Sequence, residues 1–507
     1  MIRRSLWAAL ALALCLPVLA AAQTTARLTI LHTNDTHGHL LPFSYPSVAA
    51  QGSEEARLKE RRNIGGIARR ATMAAQLRAS LAAGKTPVWL IDAGDFSDGT
   101  PFSTEYHGEA DIEAMNAAGY SFGTFGNHEL NMSMAQTKKL VGMAAFPILL
   151  ANAVDRTTRQ PIGQPFRVEK IGALRVGLFG LLTHDAANYP AGKDGIDVLD
   201  EIATAREVVK TLRAQADVVV LISHCGDVLD NKLAAEVPGL DVIIGGHSHS
   251  RLPVGEFIWR SDDLKADDVN GTIVVQAFQW GGEVGRLDLL FRKAANGTWS
   301  VDRYRERLIP VTEATAADAS VAAVVSKFWE PIAQRFGQVV GQAMADFSTR
   351  GDDEAPYNLV ADAVRDITGA EFELENAGGV RATLVSGAIT QADLVTMDPF
   401  DNKVIVFKAT GSQIRAMLSR HTPYVSGLRY RMVNGALTDV TINGQALDDD
   451  KTYTGATNSY FAGMALKGVA QENTGRNRLD VVIEYVRKKG SIEPAYDGRR
   501  VVIGSRR

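Results

Sequence analysis

The run Leu28-Thr29-Ile30-Leu31-His32-Thr33-Asn34-Asp35-Thr36-His37 sets the architecture of the N-terminal part of the chain. An apolar stretch passes directly into an Asp-x-His triplet. A short apolar run without polar alternation suits a strand buried on both faces. Side chains just beyond the carboxyl ends of such strands gather along one edge of an α/β sheet. Similar runs recur at 88–91, 176–182, 218–222, 242–244 and 273–275, with helix-like stretches at 66–83 and 200–214 between them. The pattern predicts a layered α/β domain.

Working outward from that edge, polar clusters recur as Asp35-Thr36-His37, Gly94-Asp95, Gly126-Asn127-His128-Glu129, His224 and Gly246-His247-Ser248-His249. An Asp after a strand is ordinarily a cap, and a lone His is ordinarily structural. The ordered set is far more specific than any member. Two divalent cations ~3.5–4 Å apart need a shared carboxylate to offset their repulsion. Asp95 can bridge, with Asp35, His37 and His249 completing one site and Asn127, His224 and His247 the other. Imidazole and carboxylate donors suit zinc, manganese, iron or cobalt better than calcium. Such a pair orients a phosphate and generates a nucleophile from water at neutral pH. His128, next to Asn127, is placed to face the phosphate, stabilising developing charge or protonating the leaving oxygen.

Composition is that of an ordinary globular protein. The 507 residues are 46% hydrophobic and 22% charged, with a net charge of −4, so no basic excess marks nucleic acid as a partner. Two cysteines exclude a disulfide framework or a Cys-rich metal site, and Cys225 reads as an inert buried thiol. Arg3 and Arg4, an apolar run from Leu6 and the small residues Ala20, Ala21 and Ala22 describe a secretory leader over 1–22. The mature chain is then expected in the periplasm, without a membrane span. Val321, Val325, Phe328, Ile332 and Phe336 recur at helical spacing, which predicts a connecting helix within 313–345, kinked or broken at Pro331. Residues 23–312 and 346–507 are the expected domains on either side.

The ordered clusters resemble the signature of calcineurin-like metallophosphoesterases. Ile30 to Gly38, Asp92-Ala93-Gly94-Asp95, Gly99-Thr100-Pro101, Gly126-Asn127-His128-Glu129, Phe146-Pro147 and Gly285-Arg286-Leu287-Asp288 narrow the resemblance to the 5′-nucleotidase family. It implies an α/β/β/α catalytic domain with two metal ions, followed by a smaller α+β specificity domain. Many members have Asp where this chain has Asn131; an Asn131 carbonyl can accept a bond from His128 but brings no charge.

In the second domain, Asn376-Ala377-Gly378-Gly379-Val380-Arg381 resembles the family's Gly-rich loop, which implies Asn376, Gly378, Gly379 and Arg381 at the substrate. Arg350 resembles a second family arginine. Pro399-Phe400-Asp401-Asn402 resembles the motif whose Phe stacks on the nucleobase and whose Asn bonds to it, and Tyr460 stands where a second stacking ring is expected. The family's Gly-Gly-Asp-Gly loop is replaced by Met464-Ala465-Leu466-Lys467. The leading expectation is metal-dependent hydrolysis of nucleotide 5′-phosphates, with nucleotide anhydrides as further substrates. The alternatives are a 2′,3′-cyclic-nucleotide phosphodiesterase or 3′-nucleotidase, a phosphatase for other small esters, and a non-catalytic nucleotide-binding protein.

Overall fold

The computed structural model describes residues 24–45, 57–58, 61–259, 271–350 and 353–504. The expected leader and the Arg350 side chain lie outside the described residues. In the N-terminal domain one sheet runs in the order Trp299–Pro310, Glu283–Lys293, Thr25–Thr33, Val88–Asp92, Phe122–Gly123. The other runs Glu256–Trp259, Gly271–Val275, Val242–Ile244, Val218–His224, Leu174–Leu182, Phe166–Ile171. The sheets pack face to face through Leu28, Ile30, Ile91 and Leu287 on one side and Val176, Val220, Ile222 and Ile244 on the other. The outer faces are covered by helices Ile67–Leu81 and Glu109–Ala118, and by Glu201–Arg213 and Asp227–Glu236. The runs without alternation predict a layered α/β domain, and every residue of Val218–His224 is buried; the resemblance implies the α/β/β/α order found here. Cys225 sits in the outer core beside Leu233 and Ala234, where burial pushes its thiol well up.

Parallel pairing levels the carboxyl ends. Thr33 lies opposite Asp92, and Asp92 opposite Gly123. In the second sheet His224 lies opposite Leu182, and Ile222 opposite Ile244. The polar clusters therefore emerge at one edge.

The connecting helix is Ala319–Phe336, capped by Asp318, whose side chain accepts from the Ser320 and Val321 amides. Val321 and Val325 belong to the first domain's core, while Ile332 and Phe336 pack with Val395 of the second domain. The helix continues through Pro331, so the expected interruption is not a break. Proline removes one hydrogen bond, and packing on both sides of it holds the helix together. Strand Val339–Ala343 already belongs to the second domain, paired with Gly387–Thr390 and Ser491–Ile492.

The second domain is α+β. Its five-stranded sheet runs Tyr424–Ser426, Phe372–Glu375, Thr452–Asn458, Lys403–Thr410, Ala470–Asn477. Phe372–Glu375 is parallel to Thr452–Asn458, so the loops after Glu375 and after Asn458 leave the same edge. Lys403–Thr410 is antiparallel to them, with Val404 opposite Asn458, so the Phe400 segment enters at that edge too. Lys403 faces Asn477, which brings in the start of helix Arg478–Lys489.

Candidate functional site

Asp95 lies at the centre of the metal-ligand candidates. Its Oδ2 is 3.1 Å from His224 Nε2 and 3.9 Å from both His37 Nε2 and His128 Nε2. Asp35 Oδ1 is 3.2 Å from His249 Nε2 and 4.0 Å from His37 Nε2. Asp35, His37 and His249 form one tight group of donor atoms, and Asp95, His224 and His247 another. The donor chemistry fits cations. His224 Nδ1 is 2.7 Å from the Ala93 carbonyl, His37 Nδ1 2.8 Å from the Asp98 carbonyl and His249 Nδ1 2.5 Å from Gln279 Oε1. Each Nδ1 donates to an oxygen, so in the neutral ring it is Nε2 that keeps the lone pair a cation can use. The His37 and His249 Nε2 atoms stand 3.2 Å apart, two acceptors that need a positive centre beside them. His224 Nε2 and Asn127 Oδ1 are buried without a hydrogen-bond partner. Asn127 Nδ2 is occupied by donating to the Tyr189 hydroxyl at 2.8 Å, which turns Oδ1 the other way.

The electrostatics follow from this crowding. Burial would raise the Asp35 carboxyl, but His249 and His224 together outweigh it and bring the pKa to about 2. Burial would lower His224, but Asp95, with Asp35, outweighs it and raises the cation-free imidazole to about 10, so a cation binding at Nε2 would have to displace a proton there. His37 is held well below its ordinary value, chiefly by burial.

The backbone that presents these groups is strained. Asp35 (φ 51°), His37 (φ 45°), Asp95 (φ 52°), His247 (φ 76°) and His249 (φ 52°) all adopt the left-handed region, which costs non-glycine residues on the order of 1 kcal/mol or more each. Glu129 braces two of the loops. Its carboxylate accepts from the Gly126 amide at 2.7 Å and from the Asp95 and Ser97 amides, each at 3.0 Å. A Cβ on Gly126 would stand 2.0 Å from Asp95 Oδ1. Gly126→Ala is therefore expected to displace Asp95, cutting metal content and phosphate release together; a variant that retains full metal and activity would contradict this packing.

His128 donates its backbone N–H to Asp95 Oδ1 at 2.9 Å. Burial pushes its imidazole down, but the carboxylates of Asp95 and Asp98 outweigh it and hold the ring above its ordinary pKa. The expected bond from His128 to an Asn131 carbonyl is not formed. His128 Nδ1 lies 2.5 Å from Asp98 Oδ2, and Asn131 Nδ2 donates to that same oxygen. Sequence reading missed Asp98, as well as the supporting groups Gln279 and Tyr189. The only local signal for Asp98 was its place three residues beyond Asp95.

From the second domain, Arg381 shares a cavity of about 150 Å³ with His37, His249 and Trp280. Phe400 lines a neighbouring cleft of about 710 Å³ with Asp98, His128 and Asn131. Asn402 turns its Oδ1 to the Ser459 hydroxyl, 3.1 Å away. Asn376 uses both side-chain atoms within the domain: Nδ2 donates to the Ala377 carbonyl at 2.9 Å and Oδ1 accepts from Asn458 at 2.8 Å. Gly378 has φ +81°, which its turn requires, and a Cβ on Gly379 would stand 2.2 Å from Glu375 Oε1. The glycines thus serve the loop's own folding over buried Glu375. Tyr460 is 59% exposed and is not among the residues lining either cavity. The inward turn of its neighbour Asn458, which caps the helix through the Phe461 amide, leaves Tyr460 outside.

Residues 28–251 match the family described as calcineurin-like phosphoesterase, and residues 339–468 match the 5′-nucleotidase C-terminal domain. A 5′-nucleotidase of Vibrio vulnificus is 28% identical over 93% of this chain and 92% of its own length. Protein UshA of Escherichia coli is 26% identical over 86% of each chain. Among solved structures, a 5′-nucleotidase precursor of Thermus thermophilus superposes with a TM-score of 0.81 at 26% identity, covering 94% of this chain and all of that one. A Thermus sulfate thiohydrolase, SoxB, shares the fold with a TM-score of 0.79 at 22% identity, over 94% of this chain and 97% of its own. With a calcineurin-like phosphoesterase domain built around Asp95 and a 5′-nucleotidase C-terminal domain following it, the chain belongs to the 5′-nucleotidase family.

Proposed function

We propose that this protein hydrolyses the 5′-phosphate ester of nucleotides at two divalent metal ions that share Asp95. Asp35, His37 and His249 hold one ion, and Asn127, His224 and His247 the other. The observation that carries the reading is the opening of Arg381 onto the same cavity as His37 and His249. A cation suited to phosphate thus shares a cavity with the ligand cluster, and Phe400 lines the neighbouring cleft with Asp98 and His128. Divalent ions bound there polarise the phosphate oxygens and lower the pKa of water. Arg381 clamps the phosphate oxygens, Phe400 offers its face to the base, and His128 holds a proton at Nε2 for the leaving oxygen. Zinc, manganese, iron and cobalt all suit the donor set. Relatives named 5′-nucleotidase support a nucleotide as the substrate. The basic, apolar and small-residue order of 1–22 supports export to the periplasm, and no helix among the described residues is long and apolar enough to cross a membrane.

Phosphate release from 5′-AMP, 3′-AMP, 2′,3′-cyclic AMP and sugar phosphates tests the reading. Preference for 5′-AMP, lost on chelation and restored by manganese or zinc, is expected; turnover confined to other esters would overturn it. Arg381→Met is expected to lower kcat/KM for 5′-AMP by roughly 10- to 100-fold, the worth of a charged hydrogen bond at about 1.5–3 kcal/mol. Phe400→Ala is expected to raise KM for 5′-AMP while leaving a phosphate ester without a base unaffected. Equal effects on both esters would contradict stacking.

A further inference from the structure

We propose that Asp98 is the positioning carboxylate of His128, and that Asn131 is asparagine because the charge has moved to position 98. The inference rests on the reading of His128 given above. His128 Nδ1 is 2.5 Å from Asp98 Oδ2. Asp98 Oδ2 already accepts from Asn131 Nδ2 and acts here as an acceptor, so Nδ1 carries the hydrogen and the ring is fixed with Nε2 on the opposite side. That side faces the ligand cluster, with Nε2 3.9 Å from Asp95 Oδ2. Asp98 is itself held from several directions. Its amide donates to the Ser103 hydroxyl at 2.7 Å, and its carbonyl oxygen accepts from His37 Nδ1 at 2.8 Å. Its backbone takes φ 68°, in the left-handed region. One residue thereby orients a metal-ligand candidate through its main chain and His128 through its side chain.

Asn131 completes the arrangement. Its Nδ2 donates to Asp98 Oδ2, the oxygen that also receives the His128 proton. An aspartate at 131 would press a second carboxylate against the first, and like charges at that separation oppose each other. A neutral donor is what the site requires once the acid stands at 98. Asn131 Nδ2 is also 3.0 Å from His128 Nδ1, so the position is within reach of the ring. Exchanging the two side chains preserves one carboxylate and one amide around the same nitrogen.

The test is a charge exchange with Asp98→Asn and the double variant Asp98→Asn/Asn131→Asp, read in three ways. For 5′-AMP, Asp98→Asn is expected to lower kcat about 10²- to 10³-fold, within the range of general acid–base effects, with KM nearly unchanged. Metal content should stay at the wild-type level, because the Asp98 carbonyl that holds His37 remains. The double variant should recover at least about tenfold of the lost kcat. In the metal-free protein, at a pH above the ring's pKa, nitrogen NMR of His128 should show the Nδ1–H tautomer in wild type and in the double variant, and lose it in Asp98→Ala/Asn131→Ala, where neither position offers an acceptor. A kcat for Asp98→Asn within about threefold of wild type, a fully metallated double variant no better than the single one, or an Nδ1–H tautomer that persists in Asp98→Ala/Asn131→Ala would each overturn the proposal. Failure of the wild-type enzyme to cleave 5′-AMP would count against the nucleotide reading alone, since the tautomer is read without substrate or metal.

Discussion

Replacing Asp95 with alanine is expected to remove metal binding and turnover together. Its Oδ2 lies within 3.9 Å of His37 Nε2 and 3.1 Å of His224 Nε2, so one carboxylate serves both halves of the cluster. Its Oδ1 also receives the His128 amide at 2.9 Å, which ties the proton-bearing ring to the metal centre. Without it, the two proposed cations would lose the negative charge between them. The expected loss in kcat/KM is on the order of 10⁴-fold or more, beyond the ~10²–10⁴ expected when His128 is replaced by alanine with the metals in place. A readout independent of turnover is the melting temperature. Added manganese or zinc raises it in wild type, because a ligand that binds only the folded state stabilises it, and should leave it almost unchanged in Asp95→Ala. Full metal occupancy with activity within tenfold of wild type would contradict the bridging role.

Arg478→Met carries the second large effect, on the other side of the cleft. Arg478 is fully buried. Its Nη1 donates to Glu375 at 2.7 Å, its Nε and Nη2 to the two oxygens of Asp398 at 2.7 and 2.5 Å, and its Nη2 also to the Gly379 carbonyl at 2.7 Å. Its backbone N–H donates to the Asn402 carbonyl at 2.8 Å. Glu375 in turn accepts from Asn458 at 2.8 Å, next to the helix of Tyr460. Arg478 therefore ties together the Gly-rich loop, the Phe400 segment and the Tyr460 helix. Burial works against the guanidinium charge, but Asp398 and Glu375 outweigh it and hold its pKa above the ordinary value. Removing it strands two buried carboxylates, at a cost of about 3–5 kcal/mol. For a domain of this size that lowers the melting temperature by on the order of 10 °C. In the folded fraction KM for nucleotides should rise while metal content stays constant. Unchanged melting and unchanged KM would contradict this role. Arg478→Lys should recover little, since an ammonium cannot fork to both carboxylates.

The contrast between these two residues explains how far the sequence could be read. Asp95 was legible because its meaning is local: an apolar strand ends and a carboxylate follows. The same holds for Asp35, His224 and His247, and for the layered α/β class, since strands buried on both faces lack alternation; the second sheet layer follows from the family resemblance, not from the runs. Arg478 was not legible, because its partners lie 80 to 103 residues away and an arginine at a helix start ordinarily reads as a surface cation. Asp98 lies 30 residues from His128, and Asn131 viewed alone read as a lost charge. Gly378 and Gly379 read as room for a ligand, whereas the backbone sign at one and the closeness of Glu375 at the other account for them. Tyr460 read as a stacking ring by position, but only the fold shows that Asn458 takes the inward place. Pro331 suggested a break that packing on both sides of it prevents.

Anomalous diffraction from crystals soaked in manganese or zinc measures the central claim most directly. Two peaks about 3.5–4 Å apart are expected on either side of Asp95, one against Asp35, His37 and His249 and the other against Asn127, His224 and His247. Peaks located elsewhere on the protein, with none inside that cluster, would contradict it.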